Sequence, residues 1–184
     1  IMVQLGKGEF EVVKPSSGRI AVLNESGDTV MMYEGDMGEF TIKPGRKNNP
    51  QILNVNGVNY RGDIRVLRLK NSDMTVINTV TLNEYLYGVV PPEIGYSAPL
   101  EALKAQAVVS RTYAINNIGS NKHAAYLFDL CNTTDCQVYK GYDVESEVTN
   151  KAIDETTGQI VVYEGEPAEV FFFSTSGGKT ENSE

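Results

Sequence analysis

Up to about residue 80, hydrophobic and polar residues alternate in short runs that are separated by turn-forming residues. A period of two is typical of β-strands with one buried face. Three pairs of runs predict antiparallel hairpins: residues 19–23 with 29–33, Leu53 and Val55 opposite Val58 and Tyr60 across Asn56-Gly57, and residues 66–70 with 75–80. The dipeptide Asn56-Gly57 favours a two-residue turn because both residues tolerate positive φ.

The pattern becomes helical at Thr81. Thr81 and Glu84 fit a capping box, which predicts a short helix through Tyr87 that ends at Gly88. Pro91 and Pro92 then interrupt the helical pattern, because proline removes a hydrogen-bond donor.

The longest helix is predicted from Ser97, with Pro99 in its first turn, to about Ile118. A second helix is expected over residues 143–157, and a closing hairpin pairs residues 159–163 with 169–173. We therefore predict an α+β fold, in which a β-rich part (residues 1–80) packs against a helix-containing part (residues 81–184) with a groove between them.

The long helix has a buried stripe that contains an arginine. Five apolar residues share this face: Leu100, Leu103, Ala107, Ala114 and Ile118. Arg111 falls inside the stripe, and Gln106, Ser110 and Tyr113 lie along its edge. A buried guanidinium needs a carboxylate, backbone carbonyls or a ligand. The pattern leaves both a structural ion pair and a binding site open.

Composition excludes some classes of function. The 184 residues are 41% hydrophobic and 22% charged, as in ordinary globular proteins. The net charge of −8 argues against binding to nucleic acid, which needs a basic face. The longest apolar run, residues 124–128, is far too short to span a bilayer. We expect the chain to be cut from a longer protein that could carry a signal or an anchor.

Few residues suggest chemistry on their own. His123 is the only histidine, and no nucleophile elbow, phosphate-binding loop or zinc-protease helix is present. Glu93 lies in the sequence PPEIGY, on a connection stiffened by two prolines, with apolar neighbours. Apolar cover of a carboxyl group suits a general acid. Cys131 and Cys136 are spaced for a small disulfide loop, a pair of metal ligands or two free thiols.

Four motifs in order carry a family resemblance: NEYLYGVVPPEI, PLEALKAQAVVSRTYA, FDLCNTTDCQVYKG and FFFSTSGGKTENSE. Together they resemble the stage II sporulation protein D family, which includes the amidase-enhancer proteins. The resemblance covers Leu82 to the end of the chain. Relatives continue beyond this end.

The resemblance implies a lytic transglycosylase, which acts on peptidoglycan strands without peptide stems during engulfment in an endospore former. It implies Glu93 as the catalytic residue and Arg111 as a substrate-positioning residue. Because a guanidinium in contact would weaken a carboxyl group as an acid, we expect Arg111 to reach the same cleft without pairing with Glu93. Further candidates for lining the cleft are Gln106, Tyr113, Gln137, Tyr139, Ser174, Ser176, Gly177, Gly178 and Lys179.

The resemblance also implies a zinc site at His123, Cys131 and Cys136, because some relatives hold zinc there. Asp135 stands where relatives often have a second histidine, and aspartate can itself bind zinc. We expect any zinc to organise the loop and not to perform the chemistry.

The competing hypothesis is a glycan-binding protein that activates a cell-wall amidase. In either case the implied location is extracytoplasmic, with a membrane anchor in the full-length protein. The implied partners are glycan strands, a cell-wall amidase and a membrane scaffold protein.

Overall fold

The computed structural model of the protein describes residues 2–5, 8–13, 19–34, 38–45, 50–69, 74–173 and 177–179. These residues form an α+β fold, as the sequence predicts. The strands are β1 (Met2–Leu5), β2 (Gly8–Val13), β3 (Arg19–Leu23), β4 (Thr29–Glu34), β5 (Glu39–Ile42), β6 (Ile52–Val55), β7 (Val58–Arg61), β8 (Asp63–Arg68), β9 (Met74–Thr79), β10 (Val162–Tyr163) and β11 (Glu166–Pro167). The helices are α1 (Leu82–Ile94), α2 (Leu100–Asn117) and α3 (Glu147–Glu155), and single 3-10 turns lie at Ala124–Tyr126 and Tyr142–Val144.

Two antiparallel sheets form the first part of the described chain. One has the strand order β4-β3-β2-β1-β6-β7, and the other has the order β5-β8-β9. Seven buried aliphatic residues from both sheets make one core: Val12, Ile20, Val22, Leu53, Val55, Ile64 and Val66. The sheets are therefore held together by apolar burial between them.

The three predicted hairpins are confirmed as β3–β4, β6–β7 and β8–β9. In β6–β7, Leu53 lies opposite Tyr60 and Val55 opposite Val58, which is the predicted register. Asn56-Gly57 forms the turn with φ of 50° and 84°, as a type I′ turn requires. The turn expected at residues 71–73 lies outside the described residues.

Helix α1 begins as predicted but ends later. The Thr81 hydroxyl accepts from the Glu84 N–H, and the Glu84 carboxylate accepts from the Thr81 N–H. The predicted end at Gly88 is wrong, since the helix continues through Pro91 and Pro92 to Ile94.

The helix tolerates Pro92 because the hydrogen bond that this proline removes is replaced. Pro92 has no N–H to donate to the Gly88 carbonyl, and the backbone N–H of Lys140 donates to that carbonyl instead, at 3.1 Å. Gly88 itself is needed for close packing: a Cβ there would lie 2.5 Å from the Tyr139 ring.

Helix α2 confirms the predicted long helix, with Pro99 and not Ser97 at its N-cap. Leu103, Ala107, Ser110, Arg111 and Ala114 are buried. Two members of the predicted stripe differ. Ile118 is 54% exposed, because the helix ends at Asn117 and the backbone turns to an extended conformation. Leu100, in the first turn, is only half-buried.

The helix expected over residues 143–157 is shorter, because the Ser146 hydroxyl caps α3 by accepting from the Thr149 N–H. Four buried residues from the three helices form a second core: Leu86, Val90, Ala107 and Ile153. None of the three described helices is both long and apolar enough to cross a bilayer.

The closing hairpin is smaller than predicted. β10 and β11 pair around Glu164 and Gly165, whose φ values are 51° and 89°. Because this two-residue turn comes early, β11 ends at Pro167, and residues 169–173 form no strand.

The β-rich part is fastened to the helical part by a charged contact. The Arg61 guanidinium donates to both carboxylate oxygens of Glu145, at 2.6 and 2.8 Å. It also lies over the rings of Tyr87 and Tyr142, with its central carbon 5.5 and 5.0 Å from their centroids. This contact links β7 to the segment that precedes α3.

Candidate functional site

Glu93 lies in the last turn of α1, not on a connection between helices as predicted. Its side chain is half-buried and makes no hydrogen bond or ion pair with another described residue. A carboxyl group without a protein partner is free to contact a ligand.

The apolar cover expected around Glu93 is incomplete. Ile94 packs against the helical core. Pro92 and Tyr96 are exposed, and the Tyr96 hydroxyl donates to the Val144 carbonyl at 3.2 Å. This hydrogen bond holds the chain after α1 against the 3-10 turn at Tyr142–Val144.

Arg111 is buried, as its place in the stripe requires, and is only 1% exposed. Its guanidinium donates to the Ile153 carbonyl at 3.1 Å and to the Gln159 carbonyl at 3.2 Å, and it lies beside the Thr156 hydroxyl. No carboxylate of the described chain pairs with it. Burial therefore lowers the pKa of Arg111.

These contacts make Arg111 a cap for the C-terminal end of α3. Unpaired carbonyls at a helix end carry partial negative charge, which a guanidinium stabilises. Of the three kinds of partner that a buried guanidinium can have, the structure shows backbone carbonyls, and the buried Nε of Arg111 has no hydrogen-bond partner among the described residues. In this conformation Arg111 has no exposed surface with which to touch a ligand, so it does not share a cleft with Glu93.

Two of the predicted glutamine contacts are also internal. Gln106 donates to the Ser110 hydroxyl on the same helix at 3.1 Å. Gln137, 1% exposed, accepts from the Tyr85 hydroxyl at 3.2 Å and donates to the Ser110 carbonyl at 3.4 Å. Its amide therefore joins α1 to α2. Tyr113 is half-buried, and burial raises the pKa of its hydroxyl.

A cavity of about 650 Å³ lies between the β-rich part and the helical part, where the sequence predicts a groove. Its wall combines β8 and β9 with the start of α1, the end of α2 and residues 127–132. Cys131 and Tyr139 are the predicted site residues that line it, and Glu93 is not among the described lining residues. The exposed side chain of Ile118 faces this space.

Three tyrosines form one side of the cavity. The Tyr139 ring centroid lies 5.3 Å from that of Tyr85 and 6.1 Å from that of Tyr60. The Tyr139 hydroxyl donates to the Asn78 side-chain oxygen at 2.7 Å. Burial raises the pKa of Tyr85 and Tyr139 well above the ordinary value. Both hydroxyls therefore stay protonated, as structural donors.

His123, Cys131, Asp135 and Cys136 come together at the surface. The potential ligand atoms of all four lie within 4.8 Å of one another, and the cysteines are not bonded to each other. The His123 Nε2 lies 3.1 Å from the Cys136 Sγ and 3.8 Å from the Asp135 carboxylate. We call these four residues the loop cluster.

The loop cluster fits a zinc ion by its chemistry. Two sulfurs, one imidazole and one carboxylate are the ligand types that zinc prefers, and four is its usual number at structural sites. Phe128 stacks on the His123 ring at 4.7 Å and orients it. Lys122 lies 3.1 Å from the Asp135 carboxylate and would compete with a metal for that group.

The predicted residues near the end of the chain contribute little to this geometry. Ser174 and Ser176 lie outside the described residues. Gly177, Gly178 and Lys179 are exposed and do not line the cavity.

The sequence indicates Asp135 only as a replacement for a histidine ligand. The packing of Tyr85 against Tyr139 and Gln137 is not predicted from the sequence. Asp135 follows Cys131 by four residues, and this spacing is a weak signal that Asp135 belongs to the same site. Nothing in the sequence could reveal the packing of Tyr85, because the contacts of Tyr85 join positions more than 50 residues apart.

Comparison with known proteins finds a family model that matches this chain and several similar proteins. The model of the SpoIID family, described as Stage II sporulation protein, matches residues 70–163. The chain is 35% identical over 175 residues to the stage II sporulation protein D of Bacillus amyloliquefaciens, an alignment that covers 84% of this chain and 50% of that protein. It is 42% identical over 98 residues to the amidase enhancer of Bacillus subtilis, which covers 53% of this chain and 13% of that protein.

An uncharacterized protein of Brachyspira hyodysenteriae is 38% identical over 165 residues, 86% of this chain and 44% of that protein. The chain thus spans half or less of the length of these curated relatives. The family match includes α1 with Glu93, α2 with Arg111 and the whole loop cluster. The chain belongs to the SpoIID family of stage II sporulation proteins.

Proposed function

We propose that this protein is a lytic transglycosylase that cleaves the bond between N-acetylmuramic acid and N-acetylglucosamine in glycan strands without peptide stems. The observation that carries the proposal is the setting of the Glu93 side chain. It is held in a capped helix that two prolines stiffen, and its carboxyl group has no partner in the described structure. The similarity to stage II sporulation proteins supports a role in sporulation, and we propose that the protein acts on the cell wall during engulfment.

One carboxyl group suffices for this reaction. Glu93 gives its proton to the glycosidic oxygen as the bond from that oxygen to C1 of the muramic acid breaks. The C6 hydroxyl of the same sugar then attacks C1, and Glu93 takes back the hydroxyl proton. The product carries a 1,6-anhydro ring, no water is consumed, and the enzyme returns to its starting protonation state.

The proposal predicts that Glu93→Gln folds normally but loses turnover by about a thousandfold or more, because general acid–base catalysis contributes about 10²–10⁴-fold and an amide cannot supply it. The measurement is release of soluble fragments from stem-free glycan strands, with circular dichroism as the check on folding. Glu101→Gln is the matched control, since Glu101 is an exposed helical glutamate paired with Lys104. Equal turnover of Glu93→Gln and Glu101→Gln would overturn the proposal.

A second candidate function is activation of a cell-wall amidase by a protein that binds glycan without cleaving it. The similarity to the amidase enhancer favours it. So does the cavity of about 650 Å³, which lies apart from Glu93. Incubation of the protein alone with stem-free strands separates the two: turnover supports the enzyme, whereas co-sedimentation without turnover supports the activator.

We also propose that the loop cluster holds a structural zinc ion. His123, Cys131, Asp135 and Cys136 would be its ligands, and zinc would fix the loop by tying these positions together. The ion has no part in the proton transfers at Glu93.

Asp135→Asn should weaken zinc binding by about tenfold or more, because loss of one charged ligand removes part of the ion's stabilisation. Metal analysis of protein purified without added zinc, combined with a thiol titration, measures occupancy and the state of both cysteines. One zinc per chain with protected thiols supports the site. Two freely titrating thiols without metal, or no thiols at all, would contradict it.

From the proposed substrate we infer a location outside the cytoplasm. We extend the proposal to a membrane anchor in the full-length protein and to partnership with a cell-wall amidase and a membrane scaffold protein. Immunoblotting of culture fractions from cells making the full-length protein tests the location.

A further inference from the structure

The segment that leaves the loop cluster lies directly against the helix that carries Glu93. This segment, residues 137–141, follows Cys136 without interruption. We call it the bridging segment, and we call residues 91–95 the Glu93 turn. The contacts between the bridging segment and α1 lie at Tyr85 and Gly88, in the part of the helix that precedes the Glu93 turn.

Three kinds of contact join them. The Gln137 amide accepts from the Tyr85 hydroxyl in the first part of α1. The Tyr139 ring occupies the space beside Gly88, where a Cβ would meet the ring at 2.5 Å and the Gly141 carbonyl at 2.9 Å. The Lys140 N–H donates to the Gly88 carbonyl at 3.1 Å.

The last contact ties the bridging segment to the prolines. In an uninterrupted helix the Gly88 carbonyl would accept from the residue four positions later, which is Pro92 and has no N–H. Lys140 therefore supplies the hydrogen bond that the Glu93 turn cannot supply. The position of α1 at the start of that turn depends on a backbone group from outside the helix.

The far side of the bridging segment is held by the β-rich part. The Tyr139 hydroxyl donates to Asn78 of β9. Gly141, at a φ of 72°, approaches β7 so closely that a Cβ would clash with the Asn59 carbonyl. The segment is thus packed between the sheet and α1, and its near end is fixed to the loop cluster through Cys136.

We propose that Gly88 and Tyr139 are positioning residues for Glu93. Through the bridging segment, a change in the arrangement of the loop cluster alters the stability of the Glu93 turn. The assignment of Glu93 as the acid rests on the proposed function. The structural coupling does not, so the two can fail separately.

The test is hydrogen exchange of the Glu93, Ile94 and Gly95 amides, which are the amides of the turn because both prolines lack one. Tyr139→Ala should speed their exchange by about tenfold or more, since local opening no longer has to displace the ring. Tyr139→Phe keeps the ring and should retain most of the protection. Amides of α3 report on general loosening and should change by less than about threefold.

Tyr126→Ala is the matched control, because Tyr126 is an exposed tyrosine whose ring lies near only Phe128 among the described aromatic contacts. It should leave the turn unchanged. If Tyr139→Ala leaves the three amides protected as in the parent protein, or loosens α3 equally, Tyr139 is not a positioning residue and the inference is wrong.

Cys136→Ser tests the link to the loop cluster. It should speed exchange at the same three amides without changing α3. Unchanged exchange in Cys136→Ser would refute transmission from the cluster.

Kinetics on stem-free glycan give a second readout. Tyr139→Ala should lower kcat by about a hundredfold and leave KM within about threefold, because displacement of a catalytic group acts on the chemical step. A large rise in KM with protected turn amides would instead make Tyr139 a ligand contact in the cavity, which contradicts the inference. If the parent protein shows no turnover, the proposed function fails, and the exchange measurement still decides this inference.

Discussion

Arg111 shows how one residue gains a structural role from its contacts. Its pattern in the sequence correctly indicates burial and the need for partners, but the partners are carbonyls at the end of α3 and not the Glu93 cleft. Spacing could not distinguish these outcomes, because Ile153 and Gln159 lie more than 40 residues along the chain. Burial of a charge can be inferred from one helix, whereas its partners depend on the whole fold.

Arg111→Ala should lower the free energy of unfolding by about 3 kcal/mol, because it leaves buried carbonyls without donors and opens a cavity. Urea denaturation measures this. Arg19→Ala, which removes an exposed arginine paired with Glu34, is the control and should cost less than about 1 kcal/mol. Loss of glycan cleavage in an Arg111→Ala protein as stable as the control would instead assign the guanidinium to the reaction.

At the scale of elements, the sequence predicts best the features whose hydrogen bonds and dihedral angles are local. The capping box at Thr81 and the Asn56-Gly57 turn are confirmed, because their hydrogen bonds and φ values are local. The end of α1 was predicted wrongly, because the Lys140 N–H that replaces the proline donor comes from a distant segment. The family resemblance predicted the members of the loop cluster, with Asp135 as a possible replacement for a histidine ligand, but only the fold shows that the four ligand atoms lie within 4.8 Å of one another.

The contact between α1 and α3 makes a pH-dependent contribution to stability. The Tyr87 hydroxyl donates to the Asp154 carboxylate at 2.5 Å. Burial, together with this hydrogen bond, raises the pKa of Tyr87 to about 12, from an ordinary value of 10.0. Because the folded-state pKa is the higher one, the stabilisation is complete below pH 10 and is lost as the pH rises toward 12.

We therefore expect the free energy of unfolding to fall more steeply between pH 10 and 12 in the parent protein than in Tyr87→Phe. Urea denaturation at several alkaline pH values measures the two slopes. Tyr163→Phe is the control, since Tyr163 is 70% exposed. Identical slopes in the parent and Tyr87→Phe would show that this hydroxyl carries no such linkage.

At the scale of the whole molecule, the groove predicted between the two parts exists as a cavity, but its walls do not include Glu93. The division into β-rich and helical parts follows from periodicity alone. The contact that joins them does not, because Arg61 and Glu145 lie 84 residues apart and neither stands out in the sequence. Their side chains are mostly buried, so removal of only one of the two is expected to lower the free energy of unfolding strongly.

Arg61→Ala should cost about 3 kcal/mol of stability, because it leaves the Glu145 carboxylate buried without its main partner. Arg61→Ala combined with Glu145→Ala should cost less than the sum of the single changes, which a double-mutant cycle by urea denaturation measures. Additive effects would mean that the two side chains do not stabilise the junction as a pair.

In the proposed reaction, Glu93 alone exchanges one proton with the glycan while the sugar's own C6 hydroxyl attacks C1. Mass spectrometry of the ends released from stem-free strands tests it most directly. We expect termini lighter by one water than hydrolytic ends, formed by the parent protein and Glu101→Gln but not by Glu93→Gln. Hydrolytic termini, or anhydro termini still formed at the parent rate by Glu93→Gln, would contradict it.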